Sequence, residues 1–248
     1  MITHSKLYGL IGYPLTHSFS KKYFTEKFSK EKITDCCYEL FPIESIGLLP
    51  DLFIQYPDLM GINVTIPYKE AVLSFLHRSS QAVQEIGACN CIHIQNGEMV
   101  GYNTDVIGFE TMLLPHVKPH HTDALILGTG GAAKAVAWVL QKLGIRFSFV
   151  SRNAGIENLQ YTQLDQHMIK EHTLIINSTP LGMSPHIDEY PEIPYEFIGS
   201  NHLCVDLIYN PSVTKFLALS QKQGATILNG MEMLVIQAEE SWKIWNQP

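Results

Sequence analysis

The sequence has no basic run and no glycine–arginine tract. Its 17 lysines and arginines face 24 aspartates and glutamates, for a net charge of −7. That balance weighs against a nucleic-acid surface. No apolar run is long enough to span a bilayer, and Met1–Leu10 carries neither an uninterrupted apolar core nor a small-residue cleavage site. Neither a membrane anchor nor a signal peptide is expected, and the reading is a cytoplasmic protein. The five cysteines, Cys36, Cys37, Cys89, Cys91 and Cys204, are odd in number and form no C-x-x-C pair. They read as reduced thiols, neither a disulfide frame nor a zinc site. Histidine is plentiful, at 11, but poorly spaced for a metal. His116 and His120 are four apart, yet Pro115 and Pro119 break any helix that would align them. No metal is expected. Internal repeats and low-complexity tracts are also missing.

What is there is a globular composition, 46% hydrophobic and 17% charged in 248 residues. That length suits one large domain or two ordinary ones. The stretch Asn63-Val64-Thr65-Ile66-Pro67-Tyr68-Lys69 organises the chain. Gly61–Thr65 reads as a β-branched strand. Pro67 suits the first turn of a helix running to about His77. Lys69 would then sit at the positive end of a helix dipole, which lowers an ammonium pKa and makes it a candidate acid/base. The alternative is a solvated surface lysine with Glu70 beside it.

In chain order, Leu7–Ile11 reads as a strand, and the loop from Gly12 leads into a helix from Ser20 to Ser29. Ser18 and Ser20 flank that helix start, where hydroxyls and free N–H groups suit an anion. Plain N-capping is the alternative. Ile33–Leu40 reads as a strand and Ile43–Ile54 as a helix. The β-α-β-α-β-α order predicts a mostly parallel sheet with helices on its faces. A strand from the Gly87–Cys91 segment to Ile94 turns at Asn96-Gly97, a strong hairpin signal, and returns over Met99–Tyr102. Polar clusters around Asn90 and Asp105 thus lie near the ends of neighbouring strands. Asp105 could equally cap the helix Val106–Leu114.

Residues from Leu114-Pro115 to Thr122 read as the connection into a second domain. There Asp123–Leu127 is a short buried strand, followed by Gly128-Thr129-Gly130-Gly131-Ala132-Ala133 and a helix to Leu143. Arg146–Val150 is the next strand. A G-x-G-x-x-A turn between strand and helix lets the backbone approach a pyrophosphate. Ser151-Arg152-Asn153 ends the second strand without a carboxylate, and arginine there suits the 2′-phosphate of NADP over NAD. Strands follow at Leu174–Ile176, Leu203–Leu207 and Thr226–Leu228, with a helix from Thr214 to Gln223 stopped by Gly224. Met231–Trp245 reads as a closing helix whose stripe of Leu234, Val235, Ala238, Trp242 and Trp245 is core. Gln237 lies beside that stripe.

Eight elements in order resemble the shikimate dehydrogenase family: G-Y-P-L-x-H-S-x-S, N-V-T-I-P-Y-K, G-A-x-N, N-T-D, the G-x-G-G-A turn, N-S-T-P-L-G-M, D-L-x-Y-x-P, and the closing helix with Gln237. The resemblance implies two α/β domains, a substrate-binding one (residues 1–108 plus 231–248) and a Rossmann-like NADP-binding one (109–230), with the last helix returning to the first. It implies NADPH-dependent reduction of 3-dehydroshikimate to shikimate in aromatic amino-acid biosynthesis, by a monomer or homodimer. Ser18 and Ser20 would hold the substrate carboxylate. Thr65, Lys69, Asn90, Asp105 and Gln237 would contact the ring hydroxyls and carbonyl, and Tyr209 would close over them. Lys69 and Asp105 would be the catalytic pair. Gly128, Thr129, Gly130, Gly131 and Ala132 would bind the pyrophosphate, Arg152 the 2′-phosphate, and Leu207 and Gly230 would lie near the nicotinamide. Three features depart from the family pattern. Ser151-Arg152-Asn153 stands where Asn-Arg-Thr is common, the segment from Arg152 to Asn177 is short, and Cys91 replaces a usual threonine. The rival readings are a quinate/shikimate enzyme of the same fold, perhaps using NAD, and a non-catalytic ligand-binding homologue.

Overall fold

The computed structural model describes residues 6–15, 18–152 and 158–247. The chain divides into two compact units, Met1–Thr104 with Ala238–Pro248, and Asp105–Gln237. Both crossings fall inside helices.

The first unit is built on β1 (Lys6–Gly12), α1 (Phe19–Lys30), β2 (Cys36–Pro42), α2 (Leu49–Gln55), β3 (Leu59–Val64), β4 (Arg78–Ser79), α3 (Gln81–Ile86), β5 (Cys91–Gln95) and β6 (Glu98–Tyr102). Its six-stranded sheet has the order β2-β1-β3-β5-β6-β4. The first three strands are mutually parallel, β5 runs against both β3 and β6, and β4 is parallel to β6. Asn96 and Gly97 make the β5–β6 turn with φ of 54° and 79°, the left-handed pair that a two-residue hairpin requires.

Side chains alternate along β1, as a strand with both faces covered demands. Leu7 and Ile11 join one apolar cluster with Leu49, Leu52 and Ile62. Tyr8 and Leu10 join another with Phe24, Phe28, Ala238 and Trp245. Burying an aromatic ring such as Phe24 contributes about 2–3 kcal/mol. Gly61 is bare because Trp245 lies against it, and the indole N–H donates to the Ile92 carbonyl at 2.9 Å.

The remaining elements are α4 (Thr104–Leu113), β7 (Asp123–Leu127), α5 (Gly131–Lys142), β8 (Arg146–Ser151), β9 (Asn158–Gln160), α6 (Gln166–Glu171), β10 (Leu174–Asn177), β11 (Leu203–Asp206), α7 (Lys215–Lys222), β12 (Thr226–Leu228) and α8 (Met231–Trp245). The second six-stranded sheet, β12-β11-β10-β7-β8-β9, is parallel throughout. Its central strands are buried on both faces and read as unbroken apolar runs, as parallel sheets require. The second half of α8, from Ala238, belongs to the first unit.

The expected helix from Pro67 to His77 does not form. Only Ala71–Phe75 is helical, as a 3-10 turn. Pro67 sits in a turn after a cis Ile66–Pro67 peptide bond. Tyr68 is drawn into the core, where its hydroxyl donates to the Ile43 carbonyl at 2.7 Å. Lys69 therefore precedes a single tight turn and does not stand at the positive end of an α-helix dipole.

Candidate functional site

In the first unit, backbone bonds collect several of the sequence-predicted residues at the C-terminal edge of β1 and β3. The Thr65 N–H donates to the Ile11 carbonyl at 2.9 Å, and the Tyr13 N–H to the Ile66 carbonyl at 3.2 Å. Gly12 has no room for a side chain against Thr65 and Leu15. The Cys89 N–H donates to the Lys69 carbonyl at 2.8 Å, and the Val64 N–H to the Asn90 carbonyl at 2.8 Å. Thr65, Lys69 and Asn90 are thus laced into one edge.

Ser18 occupies the N-cap of α1, yet its side chain makes no capping bond. Its Oγ is buried and has no hydrogen-bond partner among the described residues. Capping, the alternative role left open for this serine, is not what it does. A buried hydroxyl without a partner is costly, and an incoming acceptor or donor would satisfy it. Ser20 reaches the buried Tyr38 phenol, whose pKa is raised by burial. Thr16 and His17, which complete the same loop motif, lie outside the described residues.

Asn90 is 3% exposed. Its Oδ1 accepts from the Thr104 N–H at 2.7 Å, and its Nδ2 donates to the Thr104 hydroxyl at 3.0 Å. The next residue, Asp105, stands in the first turn of α4 and is also buried. It belongs to the second unit, as does Gln237, whose Nε2 donates to the Leu234 carbonyl one turn back in α8. An open cavity of about 530 Å³ lined by Leu73, Leu76, Arg78 and Val83 includes none of these residues.

In the second unit, β7 runs into a bare turn. Gly128 adopts φ of +106°, and a Cβ there would meet Ser178 Oγ at 2.9 Å. Gly130 is the N-cap of α5 with no side-chain capping bond, and among the described residues nothing lies within 4 Å of where its Cβ would be. Thr129 and Gly130 are exposed, and Gly131 and Ala132 half-buried. A twelve-residue helix therefore opens without a side-chain cap and, among the described residues, with no atom crowding Gly130, which suits an anion. Arg152 is exposed just past β8, and its charge acts on the Tyr161 phenol. Asn153 lies outside the described residues.

At the exit of β11, the Asp206 carboxylate accepts from Asn177 Nδ2 at 3.1 Å, the Ile208 N–H at 3.0 Å and the Thr214 hydroxyl at 2.6 Å. Burial pushes its pKa up to about 6. The three bonds tie the end of β10 and the loop after β11 to the start of α7. The Gly230 N–H then donates to the Ile208 carbonyl at 3.0 Å, which puts Gly230 against Leu207. Tyr209 is half-buried, with its phenol raised by burial.

Among the described residues no cluster of histidine, cysteine, aspartate or glutamate is arranged to hold a metal, and no helix is long and apolar enough to cross a membrane. Sequence reasoning passed over Tyr38, Thr104, Asp206 and Ser241 as functional candidates. Ser241 carried a usable signal. It falls three residues after Ala238 and four before Trp245, a hydroxyl on the apolar stripe of α8.

A family model for the shikimate dehydrogenase substrate binding domain matches residues 10–92. The NADP(+) shikimate dehydrogenase of Clostridium beijerinckii is 36% identical over 252 residues, covering 98% of this chain and 92% of that protein. The chain belongs to the shikimate dehydrogenase family. Solved shikimate dehydrogenase structures share its fold. A chorismate mutase/shikimate 5-dehydrogenase fusion from Clostridium acetobutylicum superposes with a TM-score of 0.86 at 35% identity, covering 98% of this chain and 91% of that one. Shikimate 5-dehydrogenase from Thermus thermophilus, in complex with NADP(H) and shikimate, gives 0.85 at 27% identity, covering 97% and 93%. The matched substrate-domain region lies within the first unit and takes in Ser18, Ser20, Thr65, Lys69 and Asn90. The bare Gly128–Gly130 turn, in the second unit, fits the phosphates of a dinucleotide.

Proposed function

We propose that this chain catalyses the reversible reduction of 3-dehydroshikimate to shikimate with NADPH, a step in aromatic amino-acid biosynthesis. One observation supports the reading, within a family match over 98% of the chain. The Cys89 N–H bond to the Lys69 carbonyl ties the Lys69 backbone to the residue that precedes Asn90. NADPH, when bound, supplies the hydride.

The chain's own residues do the rest. Reduction of a ketone leaves an oxygen that needs a proton. Lys69 polarises the carbonyl and donates that proton, and Asp105 is the second member of the catalytic pair. Ser18 and Ser20 hold the substrate carboxylate, and an oxygen of that group gives the Ser18 hydroxyl its partner. Thr65, Asn90 and Gln237 bind ring hydroxyls, and Tyr209 is a further substrate-binding residue. Gly128 to Ala132 hold the pyrophosphate, Arg152 the 2′-phosphate, and Leu207 and Gly230 flank the nicotinamide. The enzyme works in the cytoplasm as a monomer or homodimer.

The test is spectrophotometric. Purified protein is given shikimate with NADP, then with NAD, and the pair is repeated with quinate. Reduced nicotinamide should accumulate fastest with shikimate and NADP. Arg152→Ala should raise the KM for NADP about ten-fold or more and leave that for NAD nearly unchanged. Faster turnover of quinate, or a clear NAD preference, would instead support the quinate/shikimate reading.

A further inference from the structure

We propose that Ser241, on the closing helix, is a positioning residue that fixes the Asn90 amide for substrate recognition. The inference rests on the reading above that Asn90 binds a ring hydroxyl.

Ser241 is fully buried. Its Oγ accepts from Asn63 Nδ2 at 2.9 Å and lies 3.3 Å from the Thr104 hydroxyl. Asn63 is saturated in turn. Its Oδ1 accepts from the Tyr38 hydroxyl at 2.8 Å, and its Nδ2 also donates to the Asn90 carbonyl at 3.3 Å. The Asn90 backbone is held by the Val64 N–H and Asn63 Nδ2 on its carbonyl and by the Tyr102 carbonyl on its N–H, and its side chain by the Thr104 N–H on Oδ1 and the Thr104 hydroxyl on Nδ2. Ser241 joins the Asn63 grip to the Thr104 grip.

The bonding also decides which way the Asn90 amide faces. A backbone N–H can only donate, so the end toward the Thr104 N–H must be Oδ1. Reversing the amide would set two donors against each other. The network uses one Nδ2 hydrogen, on Thr104, and a hydroxyl oxygen of a ligand is a suitable acceptor for the other. Ser241 holds the Thr104 hydroxyl where it accepts from that Nδ2.

Helix chemistry alone does not call for a hydroxyl here. Ser241 sits on the same helix face as Ala238 and Trp245, in the part of α8 that packs with Tyr8 and Phe24. Alanine is the better helix former and buries no polar atom. A buried polar group persists in such surroundings only with its partners, and Asn63 and Thr104 supply them.

Ser241→Ala, Thr104→Val and the double variant are compared with the parent protein. Shikimate binding to the dinucleotide-free protein is measured by calorimetry, alongside steady-state KM and kcat and thermal melting. Ser241→Ala should weaken shikimate binding and raise its KM about ten-fold, with the KM for NADP within about two-fold of the parent. Thr104→Val should shift the same two quantities in the same direction. The double variant should be no worse than the weaker single, because both changes break one connection. Should Ser241→Ala fail to fold, Thr104→Val is read against the same expectations. A lowered melting temperature with unchanged shikimate Kd and KM would overturn the proposal, leaving Ser241 a structural hydroxyl only. A parent protein that neither binds nor oxidises shikimate would overturn the functional reading and this inference together, whereas an active parent with indifferent variants overturns the inference alone.

Discussion

Gly230 lies directly against the carbonyl of Leu207, so close that a Cβ at position 230 would overlap that oxygen. The contact joins the exit of β11 to the start of α8, and the Leu234 N–H closes the helix's first bond on the Gly230 carbonyl at 3.0 Å. Gly230→Ala must push the backbone aside. The expected cost is about 1–3 kcal/mol of stability from overpacking. The KM for NADP should rise about ten-fold or more, while shikimate binding without dinucleotide changes little. Thermal melting with the two KM values checks this.

Asn90 takes the buried Thr104 amide N–H on its Oδ1 and gives an Nδ2 hydrogen to the Thr104 hydroxyl. Asn90→Ala should therefore lower stability as well as substrate affinity. Leaving a buried donor unmatched costs about 1–3 kcal/mol. Urea melts should show that loss, and the KM for shikimate should rise about ten-fold or more.

Asp206 gives a pH signature with a definite sign. Its ordinary pKa of 3.8 is raised to about 6 by burial, against three neutral donors that pull the other way. A carboxyl group held above its unfolded value contributes stability that is complete below about pH 3.8 and is lost as pH rises through about 6. The whole change is about 3 kcal/mol. Asp206→Asn keeps the shape and removes the titration. The stability of the variant minus that of the parent, from urea melts between pH 4 and 7, should rise by about that amount. A difference that stays flat with pH would contradict the assignment.

Local chemistry made much of the fold legible. The Gly128–Ala133 turn could be read because glycines stand between an apolar strand and a helix. The Asn96-Gly97 hairpin was readable from its dipeptide, and α8 from its apolar stripe. The failures have physical causes. A proline after a β-branched run resembles a helix start, and only the burial of Tyr68 shows that the chain turns instead. The short helix α3 carried its own signals, a Ser80 cap and Gly87 at φ of 70°, but only Val83 and Ile86 are buried, too few to set a period. The same holds for β9 and α6, inside a stretch that reads as polar and weakly periodic. At the site, residues on strand exits were legible as chemistry. The supports behind them, Tyr38, Asn63, Thr104 and Ser241, include bonds across 25 and 178 positions of sequence, and no local pattern announces such partners.

The central claim is that Lys69 protonates the oxygen of a bound ketone. The most direct measurement is the steady-state oxidation of shikimate by NADP, for the parent protein and Lys69→Ala side by side. The account predicts that the parent turns over and that the variant loses about 10²–10⁴-fold or more in kcat, with a much smaller change in KM. A variant with near-normal kcat would remove Lys69 from the chemistry.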